Sequence, residues 1–192
     1  MDELSQRLIN EAIALGGSNE ANREFSTKDI ATAALVSEPT LFSRFPTKDD
    51  LVDAASEECM RRFTEYACGL IDEKVSLQEF IYKMIDHQLE KKQESIYLLN
   101  YAHAVDHGPN PDEYAINFRK MITRSAERVL KGYSFSSDEE RFIAYSALAR
   151  AIVYCVAYII DGVWPNNEVS RENTYHIVAG GINGYLKEKV DL

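Results

Sequence analysis

Apolar residues recur at intervals of three and four along most of the chain, whereas the alternation typical of a strand is nowhere sustained. This spacing predicts helices, because it places apolar side chains along one helical face. Short segments are predicted at 4–15, 27–34 and 38–43, and a fourth begins after residue 47. Longer ones follow at 77–89, 95–107, 118–130, 138–164 and 171–189. The pattern therefore predicts an all-α protein with four short helices followed by five long ones.

The second and third segments each carry a start signal. Ser26 and Asp29 have the spacing of a capping box, in which two side chains satisfy each other's backbone N–H groups. Ser37 can cap the next segment, and Pro39 is tolerated because it falls in the first helical turn. Two short capped helices only a few residues apart have the spacing of a helix-turn-helix, whose second helix enters the major groove of DNA.

The residues of this motif fall into an apolar set and a short or polar set. Four apolar positions are predicted to point inward, namely Ile30, Ala34, Leu41 and Phe45. The outward positions are short or polar, as a groove-reading face requires: Glu38, Pro39, Thr40, Ser43 and Arg44.

Net charge, cysteine spacing and the lack of catalytic motifs restrict the classes of function that the chain can have. The 192-residue chain is 45% hydrophobic and has a formal net charge of −10, so any DNA contact must come from a local basic patch. The three cysteines are widely spaced, the first residues lack signal-peptide features, and the longest apolar run (151–160) is too short to cross a bilayer. We expect a soluble, cytoplasmic protein. Nucleophile–base motifs, phosphate loops and dinucleotide fingerprints are missing from the sequence, so neither an enzyme nor a cofactor is expected.

The segment from Phe25 to Leu51 resembles the signature of the TetR family of transcription regulators. The matching stretches are 25–31 and 36–45, with Pro39-Thr40-Leu41 at the centre of the second, followed by Lys48 and Leu51. The resemblance implies a homodimeric repressor that binds a palindromic double-stranded DNA operator and is released by a small-molecule effector. It implies a three-helix DNA-binding domain at 1–48 and a helical effector-binding and dimerisation domain at 49–192.

The resemblance also implies roles for individual residues. Thr27 and Lys28 would touch phosphate or a base edge, while Arg44 and Lys48 would hold phosphates without carrying sequence information. The predicted DNA-binding residues are Thr27, Lys28, Ser37, Glu38, Pro39, Thr40, Phe42, Ser43, Arg44 and Lys48. Phe42 stands where the family usually has tyrosine, so its ring can pack but a hydroxyl contact is lost.

Two features depart from the family pattern. Leu35 occupies a turn position where the family commonly has glycine, so either Leu35 accepts a positive φ or the turn has a different geometry. Residues 1–62 contain seven Lys and Arg against twelve Asp and Glu, a net charge of −5, which predicts few phosphate contacts and a shallow salt dependence. This acidity leaves open a second hypothesis, a protein-interaction module that has lost DNA binding.

The C-terminal part contains two helices suited to dimerisation. The segment 142–164 is apolar on nearly every side, and such a helix must be buried on every side. The last helix carries Gly180, Gly181 and Gly184, which allow close helix approach. We expect the two helices to form a four-helix interface across a twofold axis, which would set two recognition helices one DNA turn apart. A monomer with an ordinary core is the alternative.

Aromatic residues and histidines are frequent after residue 60 and as a group suggest a pocket for a flat, partly apolar effector, although core packing is the favoured explanation for any single one of them. The candidate lining residues are Phe63, Tyr66, Tyr82, His87, Tyr97, Tyr101, His103, Tyr114, Phe118, Tyr154 and Tyr158.

One segment has metal-like spacing. His103 and His107 share a helix face and Asp106 lies nearby, but it points off that face and no distant ligand is evident. We therefore predict no metal site, and a metal-dependent helical enzyme remains the least favoured hypothesis.

Overall fold

The computed structural model describes residues 2–18, 25–73, 75–102 and 134–190, together with the helical positions 120, 123 and 127. The helices within these ranges are α1 (Glu3–Gly16), α2 (Thr27–Ala33), α3 (Glu38–Phe42), α4 (Lys48–Asp72), α5 (Leu77–Glu90), α6 (Lys92–Ala102), α7 (Asp138–Ile160) and α8 (Glu168–Val190). The all-α prediction is confirmed. Of the predicted helix at 118–130, only the helical positions 120, 123 and 127 are described, and the predicted helix end at 103–107 lies outside the described residues.

Several helix boundaries differ from the prediction, and α8 begins at Glu168 rather than at 171. The fourth helix is not short: α4 has 25 residues, because apolar positions at 51, 55, 59, 63 and 67 continue one face and no proline interrupts it. Helix α6 begins at Lys92 rather than at 95. Helix α7 ends at Ile160 rather than at 164, because Asp161 caps it and Gly162 follows with a φ of 71°.

The chain forms two compact units, of which the first comprises Met1–Arg62 and Lys91–Ile116. Its core contains fully buried apolar side chains from α1 to α4, together with Tyr97 of α6. This division does not coincide with the boundary predicted at residue 48. Helix α4 continues through that position, and α6 packs against α1 within the first unit.

Helices α1 and α6 approach each other very closely. A Cβ atom added to Gly17, just after α1, would lie 2.0 Å from the carbonyl oxygen of Gln93. The Asn100 side-chain amide donates to the carbonyl of Gly16 over 3.3 Å, and the Tyr97 hydroxyl donates to the carbonyl of Val52 over 3.2 Å. A side chain at position 17 would therefore separate the two backbones.

A buried carboxylate also ties the helices of the first unit together. Glu58 of α4 accepts hydrogen bonds from Arg61 (2.7 and 2.8 Å) and from Arg62 (2.8 Å). Arg62 in turn donates to Glu94 of α6 (2.7 Å) and to Asn10 of α1 (2.6 Å). The network joins three helices through one arginine.

The second unit comprises Phe63–Glu90 and Asn117–Leu192. Within it, α5, α7 and α8 pack against one another around buried aliphatic side chains such as Ile81, Ile85 and Ile152. Arg171 of α8 donates through Nε to Asp86 of α5 over 2.9 Å, at the surface. Among the described helices, only α7 is long and apolar enough to span a membrane by length and composition.

Candidate DNA interface

Helices α2 and α3 form a capped helix-turn-helix. The Ser26–Asp29 capping box opens α2, Ser37 caps α3, and Pro39 lies in the first turn of α3, as predicted. The intervening turn is closed by the Val36 amide, which donates to the carbonyl of Ala31 over 2.9 Å. The caps fix where each short helix begins and hence how the two cross.

Leu35 adopts the backbone conformation that its position demands. Its φ is +55°, in the left-handed region, which confirms the first of the two alternatives for this turn. Its side chain is 86% exposed, so no burial compensates the backbone strain. The turn thus contains a left-handed residue that is not a glycine.

The inward and outward faces of the motif are as predicted. Ile30, Ala34 and Leu41 are fully buried, and Phe45 is buried beside them. The opposite face of α3 presents Pro39, Phe42, Ser43 and Arg44 as exposed side chains, with Glu38 and Thr40 half-buried. A rigid apolar base therefore supports the face that would meet DNA.

The hydroxyl groups on this face bond largely to one another and to the backbone. Ser37 and Thr40 share a hydrogen bond of 2.8 Å. Ser43 donates to the carbonyl of Thr40 over 2.7 Å. These bonds fix the hydroxyl groups in the absence of DNA.

Thr27 and Glu38 form a contact that the sequence did not reveal. The Thr27 hydroxyl, at the first position of α2, donates to a Glu38 carboxylate oxygen over 2.7 Å. The two residues are eleven positions apart, and they meet only because α2 and α3 cross. Both had been predicted to face DNA separately, whereas the structure joins them.

The predicted phosphate-binding cations have different surroundings. Arg44 forms an ion pair with Asp2, the N-cap of α1, at 3.4 Å. The Lys48 ammonium lies 4.9 Å from the centre of the Phe25 ring, a cation–π geometry. Lys28 is exposed on α2. A phosphate at Arg44 would meet a guanidinium that is already engaged through Nε with the carboxylate of Asp2.

Candidate effector residues of the second unit form separate groups. Tyr66 and His87 stack with ring centroids 3.8 Å apart and planes inclined by 10°. Phe63 is buried, and Tyr82 is half-buried near Gln78. Tyr154 and Tyr158 form another pair, 6.4 Å apart, on the exposed side of α7.

The remaining candidate effector residues either belong to the first unit or lie outside the described residues. Tyr97 lies in the core of the first unit, fully buried, so it does not join the aromatic residues of the second unit. Tyr101 belongs to α6. The other candidates lie outside the described residues: His103, Tyr114 and Phe118, and so do Asp106 and His107 of the metal-like segment.

Helices α7 and α8 expose an apolar surface. Of the eight exposed large hydrophobic side chains in the described ranges, six belong to these helices and the loop between them: Ile143, Tyr154, Tyr158, Val163, Val169 and Ile177. A groove of about 590 Å³ runs along part of this surface, between Trp164 and Pro165 of the loop and residues 169–177 of α8.

Comparison with known proteins agrees with these features. Residues 22–55 match the family model "Bacterial regulatory proteins, tetR family". No curated protein matches the chain significantly. A transcriptional regulator from Rhodococcus sp. Rha1 is 16% identical with a TM-score of 0.68, covering 93% of this chain and 95% of its own. A TetR transcriptional regulator from Legionella pneumophila is 20% identical with a TM-score of 0.66, covering 94% and 98%.

A third similar structure contains a ligand. The multidrug binding protein EbrR, complexed with imidazole, is 17% identical with a TM-score of 0.61, covering 93% of this chain and 94% of its own. At these identities the solved structures establish the fold, while the family model identifies the N-terminal sequence. Residues 22–55 therefore match the family model of the tetR bacterial regulatory proteins, and the chain as a whole has the fold of the solved TetR-family transcription regulators.

Proposed function

We propose that the protein is a cytoplasmic, dimeric transcription regulator that binds an operator through α2 and α3 and responds to a small molecule. The observation that carries this proposal is the exposed polar face of α3, supported by buried Leu41 and fixed by two capped helix starts. Repression follows the habit of the family. Release by an effector requires that effector and operator weaken each other's binding equally.

The proposed DNA-binding residues are those predicted from the sequence. Arg44, Lys48 and Lys28 would contact phosphates, while Glu38, Pro39 and Thr40 would face base edges of the major groove. Arg44 already forms an ion pair with Asp2. A phosphate contact at Arg44 should therefore add less binding free energy than a contact at an unpaired cation would. This supports the expected shallow salt dependence.

The phosphate contacts can be tested by removing two of the cations. An Arg44→Ala, Lys48→Ala variant should bind both an upstream duplex and a scrambled duplex roughly tenfold or more weakly, because charge-assisted contacts are lost. Because each protomer of the dimer loses two phosphate contacts, the slope of log affinity against log salt should become shallower by up to about four. Fluorescence anisotropy at several salt concentrations measures both quantities.

The matched control removes the same charge elsewhere. A Lys91→Ala, Lys92→Ala variant loses two exposed cations at the start of α6 and should keep the wild-type salt slope. Equal slopes for all three proteins would contradict the proposed phosphate contacts.

The homodimer is proposed from the exposed apolar surface of α7 and α8. Positions 143, 147, 150, 154 and 158 of α7 recur at three and four and are all exposed, as one face of a helix requires. On α8, Val169 and Ile177 recur at the same period with Asn173 between them. Apart from Arg150 and Asn173, this exposed surface is apolar. A surface of this kind marks an interaction site, and a second copy offers a complementary surface.

A charge on this surface should weaken the dimer. Ile177 is 64% exposed in the single chain, so Ile177→Glu should fold normally. In the dimer the carboxylate would lose water, which costs roughly 1–3 kcal/mol and raises the dissociation constant roughly 5- to 150-fold. Sedimentation equilibrium of wild type, this variant and Leu35→Asp, an exposed position in the first unit, provides the comparison. A monomeric wild type, or equal dimerisation of all three, would contradict the proposed interface.

The effector is proposed to bind in the second unit near Phe63, Tyr66, Tyr82 and His87. Stacked Tyr66 and His87 offer a flat aromatic surface with polar edges, which suits a flat, partly apolar molecule. The imidazole complex of the similar EbrR fold supports a small-molecule role. Tyr154 and Tyr158 suit the dimer surface better, because they are exposed beside Trp164.

Two other functions remain as alternatives. The protein-interaction module is favoured by one specific contact, the pairing of Arg44 with Asp2, which occupies a cation needed for DNA. An enzyme has less support. Burial raises the pKa of the Cys59 thiol to about 12, so this thiol is no nucleophile at neutral pH. Within the described residues, no group of three His, Cys, Asp or Glu side chains could hold a metal ion. The segment 103–107, on which the enzyme hypothesis rests, lies outside those residues.

A further inference from the structure

The proposed DNA-binding residues include one anionic side chain, Glu38, at the start of α3. Its surroundings differ from those of the neighbouring hydroxyl groups. Ser37 bonds to Thr40, and Ser43 bonds to the backbone. Glu38 has two carboxylate oxygens, each of which can accept more than one hydrogen bond, so acceptor capacity remains after the bond from Thr27.

The position of the Glu38 carboxylate is fixed from two sides. The Thr27 hydroxyl holds one oxygen at 2.7 Å, so α2 restrains a side chain of α3. Leu41, on the opposite face of α3, is fully buried and anchors the helix below. Because the side chain is half-buried, its remaining freedom is small. A restrained acceptor is what direct base readout requires.

The chemistry of the major groove then selects one base. An ionised carboxylate can only accept hydrogen bonds. Guanine presents two acceptors there, thymine presents an acceptor and a methyl group, and adenine places an acceptor beside its amino group. Each of these acceptors repels a carboxylate. Cytosine presents only its N4 amino donor on its own edge.

We propose that Glu38, held by Thr27, specifies a cytosine at one position of each operator half-site. The inference rests on the proposed DNA binding and names the base that one residue reads. Thr27 acts as a positioning residue: it fixes the carboxylate rather than reading the base. The negative charge of Glu38 also repels the DNA phosphates, which weakens binding to every sequence. Glu38 therefore lowers the overall affinity for DNA while increasing the preference for one base.

The test compares base preference among four proteins. A duplex selected by the wild-type protein from a random-sequence pool is varied at each half-site position, and competition anisotropy measures the relative affinities. The wild type should prefer cytosine at one position roughly 5- to 150-fold. Glu38→Gln should shift that preference to adenine, because an amide can pair with both its N6 and N7. Thr27→Val should reduce the cytosine preference at the same position only.

The control distinguishes a general effect of losing one negative charge from the loss of base recognition by Glu38. Glu57→Gln removes one exposed carboxylate from α4 and should leave the cytosine preference unchanged. Unchanged base preference of Glu38→Gln at every position would overturn the inference while leaving the proposed DNA binding intact. If the wild type selected no sequence at all, the proposed function and the inference would both fail.

Discussion

Replacing Gly17 with alanine is expected to destabilise the protein by roughly 3 kcal/mol or more, at the upper end for an overpacked core. The new Cβ would lie 2.0 Å from the oxygen, 2.6 Å from the carbon and 2.8 Å from the Cα of Gln93. All three are backbone atoms, so no side-chain rotation relieves the contact. The φ of Gly17 is −91°, which alanine adopts freely, so the whole cost comes from separating α1 and α6.

The same substitution at Gly69 should stabilise the protein rather than destabilise it. This residue is exposed within α4, and a Cβ there would meet nothing within 4 Å. Gly69→Ala should therefore stabilise the protein by about 0.5–1 kcal/mol through helix propensity. Urea unfolding followed by circular dichroism measures both variants. A Gly17→Ala protein as stable as the wild type would refute the close approach of α1 and α6.

Replacing Glu58 with glutamine is expected to cost about 3 kcal/mol at neutral pH. The side chain is only 5% exposed and accepts hydrogen bonds from two arginines. Hydrogen bonding from Arg61 lowers the pKa of Glu58 from 4.5 to about 2, with Arg62 adding to the effect and burial opposing it. Glutamine keeps the shape of the side chain but lacks the charge that balances the arginines.

The effect should depend on pH in a defined direction. Because the pKa of Glu58 is lower in the folded state than its ordinary value, its stabilisation is complete above pH 4.5 and is lost as the pH falls towards 2. The stability difference between wild type and Glu58→Gln should therefore shrink on acidification. Glu57→Gln, an exposed neighbour, should show no such convergence. A constant difference for Glu58→Gln between pH 7 and pH 3 would exclude the proposed ionised network.

Features that depend only on residues close together in the sequence could be predicted from it. The Ser26–Asp29 box and the Ser37 cap each join residues three positions apart, so their geometry follows from the helix start itself. The positive φ of Leu35 was one of the two alternatives that its place in the turn left open. Together they determine the helix-turn-helix, and with it the face presented to DNA.

Contacts that depend on how helices cross could not be predicted. Thr27 meets Glu38 because of the α2–α3 crossing angle, and Arg44 meets Asp2 from 42 positions away. Periodicity placed Tyr97 on a helix but could not show that this helix packs against α1 in the first unit. The aromatic candidates were therefore predicted as one pocket, whereas those described belong to different units and groups.

The most direct test of the proposed regulator is selection of duplexes from a random-sequence pool by the purified wild-type protein. We expect enrichment of an inverted repeat whose half-sites lie about 10 base pairs apart, centre to centre, because two α3 helices of a twofold dimer would enter successive major grooves. Two protomers should bind each selected duplex. A pool no different from its input after repeated rounds at low salt would contradict DNA binding and favour the protein-interaction module.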